Sequence, residues 1–439
     1  MKIKNWIALG FLAGFSSLSA QKSLSLQEAI QFGLENNPQA KISDFDLELA
    51  RKKVKETAAI GMPQVSADIS YNNFIDIPVQ VAPGAAFGQP NVEFIELEFG
   101  TQHTGGANLT ASQLLFSGSY LVGLKASKTY VKMAEYQKGL TDVNLKHDIA
   151  SAYHLVLLAQ ESVKVTEQSL EKMSTAFEET TALFENGFIE ESSVDELQLS
   201  KLSLENTLVQ VKNQVKTAEL LLKLQLGLSI SEEIVLSSTL EALLERKTAL
   251  TQFNPNNNIQ YGMLETKESL QKLNLYNQKA ALLPTVAAFY NHQQNAYRND
   301  FSFFDADGKY YPTNLIGVKM SVPIFTSGGT TSKINQAKIE LAKVDEEKRQ
   351  LEIGLALQYQ EAINNLVIAE QSLDLVKRKI TLGEGILDKA YVNHKEGLIS
   401  SFELNEKESR FLQLQSEHLQ ALMKVLNAQL AIDKLQSTK

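Results

Sequence analysis

Three landmarks of this 439-residue chain occur twice, in the same order and at nearly constant spacing. Phe184-Glu-Asn-Gly187-Phe-Ile-Glu-Glu-Ser-Ser-Val194 returns as His394-Lys-Glu-Gly397-Leu-Ile-Ser-Ser-Phe-Glu-Leu404. Leu115-Phe116-Ser-Gly118 returns as Ile324-Phe325-Thr-Ser-Gly328-Gly, and Met62-Pro63-Gln-Val-Ser-Ala as Leu283-Pro284-Thr-Val-Ala-Ala. One such match arises by chance; the ordered set reads as a duplication of roughly 200 residues, which constrains the fold more than any local pattern. The expected division is residues 21–230 for the first repeat, 231–258 for a linker and 259–439 for the second. The Asn- and Pro-rich stretch Phe253-Asn-Pro-Asn-Asn-Asn-Ile259 marks the join by its loop composition.

Inside each repeat the hydrophobic period changes. Leu140 to Asn186 holds neither glycine nor proline, enough for a helix of ~70 Å. After Gly187 the next glycine is Gly227, leaving room for a second arm. That arm alternates apolar residues by three and four: Val194, Leu197, Leu204, Leu208, Val211, Val215, Ala218, Leu222, with Lys201 as the polar intruder. This is a heptad seam and predicts left-handed coiled-coil packing. The incoming arm offers Ile149, Ala152, Val156, Ala159, Val163, Leu170, Met173, Phe177 and Phe184. The second repeat follows the same register from Leu404 to Leu435, interrupted by Lys407 and His418. Gly187 and Gly397 fit the reversals between antiparallel arms, where glycine tolerates positive φ.

Between the helices the period becomes two. Val65 to Asn72, Ala107 to Ser112 and Ile316 to Val322 alternate apolar with polar or small residues, whereas Thr285 to Gln294 is blurred. Their length suits tilted transmembrane strands. Pro63 and Pro284 stand where helix should give way to strand. Aromatic residues in the intervening stretches (Phe87, Phe94, Phe99; Phe301, Phe303, Phe304, Tyr310, Tyr311) suit exposed loops and an interfacial belt. Four strands cannot close a barrel, and open edges cannot face lipid, so membrane-spanning strands require several chains. Three copies would supply twelve strands, although the pattern itself says only "more than one". A soluble β-sandwich is the competing reading of the alternation.

The N-terminus carries an export pattern. Lys2 and Lys4 precede an apolar run from Trp6 to Phe15, and small residues lead to Ala20, so residues 1–20 are expected to be a secretory signal peptide. Removing its two lysines takes the formal charge from −9 to −11. An acidic chain argues against nucleic-acid binding. With zero cysteine there is no disulfide, thiolate metal site or lipidated cysteine. Ser327-Gly-Gly-Thr-Thr-Ser-Lys333 lacks the glycine spacing of a phosphate-binding loop, and His147 and His154, seven apart on a helix, cannot share a metal. No catalytic constellation, cofactor site or metal site is expected.

Ser25-Leu26-Gln-Glu28-Ala29-Ile30, Glu35-Asn36-Asn37-Pro38, Pro63-Gln64, Leu115-Phe116-Ser-Gly118, Pro323-Ile324-Phe325-Thr-Ser-Gly328-Gly329 and the two glycine tips together resemble the TolC-like outer-membrane efflux family. The resemblance spans the chain after the signal. One departure is Leu114, at the position where the second repeat has Pro323 and the family usually has proline in both. The resemblance implies a mainly α fold with membrane β: long antiparallel coiled-coil helices plus four transmembrane strands per chain. It further implies a homotrimer that forms a twelve-stranded barrel in the outer membrane of a Gram-negative bacterium and an α-helical tunnel in the periplasm. The partners implied are a periplasmic adaptor (membrane-fusion) protein and, through it, an inner-membrane pump of an efflux or type I secretion system.

The family docks its helix-turn tips on the adaptor. Here the implied tips are Asn186, Gly187, Phe188, Ile189 and Glu396, Gly397, Leu398, Ile399, Ser400. The family narrows its closed tunnel through acidic rings, which the resemblance carries to Glu403 and Glu406, three apart on one helix face. In the first repeat the equivalent positions are Ser193 and Glu196, a weaker acidic contribution. A basic residue sometimes found two past the second glycine is Ile399 here, so no salt-bridge lock is implied. The plainer readings are that the apolar tip residues cap the coiled coil and that the glutamates lie on a solvated face. A periplasmic coiled-coil adaptor or scaffold and an extracellular adhesin are the competing functions; both lack a use for paired strands at matched positions.

Overall fold

The computed structural model describes residues 22–246, 252–305 and 307–437. The expected signal peptide, residues 1–20, lies outside the described residues, as does part of the expected linker, 247–251. In chain order the elements are β1 (Lys22–Leu24), α1 (Leu26–Asn36), α2 (Pro38–Ala59), β2 (Gln64–Asn73), β3 (Val79–Pro83), β4 (Phe94–Glu98), β5 (His103–Ser117), α3 (Gly118–Glu185) and α4 (Glu191–Leu226). There follow β6 (Ile234–Leu236), α5 (Leu240–Glu245), α6 (Ile259–Ala280), β7 (Thr285–Arg298), β8 (Tyr311–Ser321), α7 (Gly329–Lys395) and α8 (Ser401–Leu435). The chain packs as two units that cut across the repeats. One gathers the described residues up to Ile42, Leu140–Asn254 and those from Leu355 on; the other combines Ser43–Gly139 with Pro255–Gly354.

The first unit is helical, and the heptad seam is its buried face. Leu197, Leu204, Val211, Ala218 and Leu222 of α4 are buried, as are Leu404, Ala421, Val425, Ala428 and Ile432 of α8. Lys201, the intruder, lays its ammonium 5.3 Å from the Phe177 ring centre, so the seam keeps its packing through a cation–π contact. A parallel ladder of β1 and β6 joins this core. Tyr153 pins it: its hydroxyl donates to Leu24 O at 2.9 Å and accepts from Ser238 N at 3.1 Å. His154 is buried beside it, and burial holds its imidazole neutral, down to about 4.

The first long helix is longer than the glycine-free window suggested. α3 begins at Gly118 and runs through Gly123 and Gly139. A side chain at Gly139 would stand 2.6 Å from Ile259 Cδ1, so this glycine is kept for close packing, at a helix cost of about 1 kcal/mol. α7 likewise continues through Gly354, Gly383 and Gly385. At Gly383 a Cβ would meet Leu414 Cδ1 of α8 at 2.7 Å.

The second unit carries one four-stranded antiparallel sheet in the order β2-β5-β7-β8. The blurred segment from Thr285 is thus a central strand, longer than its alternation showed. The register sorts the faces. Val65, Ala67, Ile69 and Tyr71 stand opposite Ala111, Leu109, Ala107 and Gly105. Across β7, Val286, Ala288 and Tyr290 stand opposite Met320, Val318 and Ile316. These residues share the apolar face, on which Ile69 is 88% and Ile316 82% exposed. His292, Gln294 and Asn314 interrupt it and bond one another. The other face is polar: Asn108 and Asn291 both donate to Thr110 Oγ1, at 3.2 and 3.1 Å, and Gln293 donates to Asn295 at 2.9 Å.

The departure at Leu114 has a local reason. In β5 it lies within the sheet, next to a register shift between Leu114 and Phe116. Pro323 instead follows β8, past the last pair of its ladder with β7, where a missing N–H costs nothing. The stretch Ile75 to His103, read from sequence as an exposed loop, contains a second hairpin, β3 with β4.

Candidate gate and docking tips

The two helix reversals share one backbone. At the first, Gly187 N donates to Phe184 O at 2.8 Å and Phe188 N to Leu183 O at 3.0 Å. At the second, Gly397 N donates to His394 O at 2.9 Å and Leu398 N to Asn393 O at 2.8 Å. Both glycines are left-handed, with φ of 77° and 74°. This paired capping closes the helix carbonyls while a glycine takes the left-handed position. Nothing lies within 4 Å of a Cβ built on either glycine, so the backbone, not packing, selects the residue type.

The expected docking residues divide by exposure. Gly187 and Phe188, Gly397 and Leu398 are open to solvent, Phe188 at 76% and Leu398 at 67%. Ile189 and Ile399 are half-buried, and Ile399 packs against the small core of Met173, Ala176, Leu197, Leu204, Ala390 and Leu404. Asn186 and Glu396 are exposed. Each tip therefore presents one large apolar side chain outward and turns the next one inward.

The expected gate positions differ in their local ties. Ser400 is the N-cap of α8: its hydroxyl accepts from Glu403 N at 3.1 Å, and Ser400 N donates to the Glu403 carboxylate at 3.4 Å, a capping box. Glu403 is exposed and also satisfies a helix terminus. Glu406 is exposed, with the Lys407 ammonium 3.8 Å away. In the first repeat, Glu190 at the N-cap makes no side-chain capping bond. Ser193 is half-buried and its N–H donates to Glu190 O at 3.1 Å; Glu196 is half-buried, and its carbonyl accepts from the Ser200 hydroxyl at 2.9 Å.

The sequence reading missed the most unusual carboxylate here. Glu408, one turn beyond Leu404, is 2% exposed. The Tyr391 hydroxyl of α7 donates to it at 2.8 Å. Burial pushes the Glu408 carboxyl above the ordinary range, against the opposing pull of Ser169, Tyr391 and the Lys172 ammonium. Burial also raises the Tyr391 phenol, with the Glu408 charge adding to it. Lys407 and His418 read as the polar breaks in the α8 seam, yet both are half-buried and Glu408 alone is sealed. A signal was available, since Glu408 lies four residues after Leu404 and so falls on the same helix face.

Two ion pairs link α3 to α7 nearby: Lys172 with Asp388 at 2.7 Å, and Glu179 with Lys395. Both pairs have the same offset of 216 residues and are seven residues apart, so the helices run parallel at this level in heptad register. His394 Nε2 lies 3.2 Å from Ser401 Oγ, and burial lowers its imidazole below the ordinary range.

Among the described residues no group of three or more His, Asp or Glu could hold a metal ion. No described helix is long and apolar enough to cross a membrane.

Residues 29–228 and 273–436 match the outer membrane efflux protein family. The outer membrane protein TolC of Salmonella enteritidis is 22% identical over 409 residues, covering 88% of this chain and 76% of that protein. A crystal structure of CusC aligns with a TM-score of 0.74 at 14% identity, covering 94% of this chain and 92% of the other. The Campylobacter jejuni CmeC outer membrane channel aligns with a TM-score of 0.70 at 15% identity, covering 93% and 85%.

Proposed function

The chain belongs to the outer membrane efflux protein family, and on that premise we propose that it is the exit duct of a tripartite efflux or type I secretion system, a passive conduit whose transport energy comes from elsewhere. The observation that carries this is the sheet: one face mainly apolar and open along most of its length, the other polar, with β2 and β8 as open edges. An apolar face suits lipid and a polar face suits a water-filled lumen. Open edges cannot be left in hydrocarbon, so β8 of one copy pairs with β2 of the next; three copies give a closed twelve-stranded barrel. The helices then form the periplasmic tunnel, and the chain from residue 21 on follows a cleaved signal at residues 1–20.

At the periplasmic end, Phe188 and Leu398 are the apolar anchors offered to a periplasmic adaptor, with Gly187, Gly397, Ile189, Ile399 and Ser400 fixing their presentation. The adaptor in turn joins the duct to its inner-membrane pump. Glu403 and Glu406, repeated by the trimer, form two anionic rings that favour cations, with Ser193 and Glu196 contributing less. No reading as a periplasmic adaptor explains a sheet with lipid-type and water-type faces.

The absence of cysteine makes the test clean. Single cysteines at Val318 and Lys319 of β8 are neighbours on opposite faces. In outer-membrane fractions a hydrophilic thiol reagent should label the cysteine of Lys319→Cys at least tenfold faster than that of Val318→Cys. Equal labelling of both, or recovery of the protein without detergent, would overturn the duct.

A further inference from the structure

The loop between β7 and β8 does not simply leave the sheet; it folds back over the apolar face. Phe303 lies against Gly105, where a Cβ would stand 2.7 Å from its ring. Ala296 below it is 1% exposed, unlike the rest of that face. Phe301, Phe303, Phe304 and Tyr310 roof a cavity of about 420 Å³ whose floor is Ile69, Tyr71, Gly105, Ala107 and Ala296. The roof is held by edge-to-face contacts of Phe301 and Phe303 with Tyr71, at 5.5 and 5.6 Å, and by the Tyr310 hydroxyl donating to Phe303 O.

Two of the roof rings are turned outward. Phe304 is 91% and Phe301 62% exposed, which in water would be a costly apolar patch. Tyr310, at the cavity wall, carries the Arg298 guanidinium 5.7 Å from its ring centre. Arg298 Nη1 donates to Tyr297 O, whereas the buried Nη2 has no hydrogen-bond acceptor. Asp300, Asp305 and Asp307 share the loop, so its overall charge does not attract anions. Whatever fills this site is chosen by apolar volume: its lining is apolar save Ser70 and Gln294, and Arg298 is not part of it.

We propose that this cavity is a binding site for one acyl chain of a membrane lipid. It lies at the end of the strands away from the helices, on the face continuous with Val65, Ile316 and Val318. The inference rests on the reading of that face as lipid-facing. The position suits the outer interface, where aromatic belts gather, and the volume falls within the usual range for ligand sites.

The sequence's single tryptophan, Trp6, lies in the signal read as cleaved, so the assembled protein has no tryptophan background, and reporters are placed one at a time at Phe303, Phe304 and Val318. The assembled protein in detergent is titrated with dibrominated phosphatidylethanolamine, whose acyl bromines quench nearby tryptophan. Phe303→Trp should show saturable quenching at one lipid per chain, and Ala107→Phe, which fills the floor, should weaken the apparent affinity at least tenfold. Phe304→Trp provides the same readout should Phe303→Trp not assemble. Val318→Trp should be quenched only in proportion to lipid content. Non-saturable quenching at the roof equal to that at Val318, or a roof reporter shielded from both bromolipid and aqueous iodide by a second copy, would overturn the site. Should Val318→Trp escape bromolipid even in bilayers, the lipid-facing reading itself fails, a result distinct from the first.

Discussion

The two helix-turn tips are one backbone with two side-chain sets. Gly187 and Gly397 adopt the same left-handed turn and close it with the same pair of backbone bonds. Behind the second turn stand a capping box at Ser400, a His394–Ser401 contact and the sealed Glu408–Tyr391 pair. Behind the first, the cap is Glu190, whose side chain makes no capping bond, and the residues equivalent to Tyr391 and Glu408 are Thr181 and Gln198. Thr181 donates to its own helix at Phe177 O, and Gln198 is exposed. The two tips share the geometry that reverses a coiled coil, and only the second has a sealed carboxylate behind it.

That contrast can be broken most severely at the buried pair. Tyr391→Phe strips Glu408 of its donor and should cost about 1–3 kcal/mol, whereas Thr181→Val at the first tip should stay within ~0.5 kcal/mol. Thermal unfolding of the detergent-solubilised protein reads both. Equal losses at the two tips would erase the asymmetry. The shared backbone gives the next test. Gly187→Ala and Gly397→Ala should each cost about 1–2 kcal/mol, and by equal amounts, because each forces a Cβ into the left-handed region. Unequal costs would mean that the turns are not the same device. Smaller still, Ser400→Ala should cost about 1 kcal/mol and Glu190→Ala almost nothing, since only the former removes a cap bond.

The pH response sharpens the same comparison. Glu408 has a folded pKa raised by burial, so its contribution is full below the ordinary glutamate value of 4.5 and is lost as pH rises through the raised folded value. His394 acts at the other end: its folded pKa is lowered by burial, so its contribution is full above 6.5 and is lost as pH falls through the lowered value. Amide exchange at the second tip should therefore speed up as pH rises through the Glu408 window, after correction for intrinsic exchange. Glu408→Gln should remove that response, and the first tip should show none.

How much of this was legible from sequence follows the kind of constraint involved. The heptad seam was readable because its period is local, and Leu197, Leu204, Ala218 and Leu222 are buried as that pattern requires. The turns were readable because left-handed backbone selects glycine. Helix length was underestimated because Gly139 and Gly383 are retained for tertiary contact with Ile259 and Leu414, which local pattern does not encode. Strand β7 was blurred because His292 and Gln294 sit on the apolar face, His292 bonded to Asn314 across the ladder and Gln294 to His292 along the strand. Glu408 was missed for a related reason: a carboxylate beside a seam reads as solvated until Tyr391, 17 residues away and on another helix, is seen to cover it.

The acidic positions decide whether the molecule is a conduit with a charged aperture. Glu403 helps cap α8, so Glu403→Ala would mix lost charge with a lost capping bond; glutamine keeps the box and removes only the charge. The direct measurement is single-channel current across a planar bilayer for the wild type and for Glu403→Gln with Glu406→Gln. The account predicts discrete, cation-preferring openings in the wild type, and a severalfold loss of cation preference in the double variant with openings retained. A wild-type protein that inserts but passes no ions, or a double variant with unchanged selectivity, would contradict it.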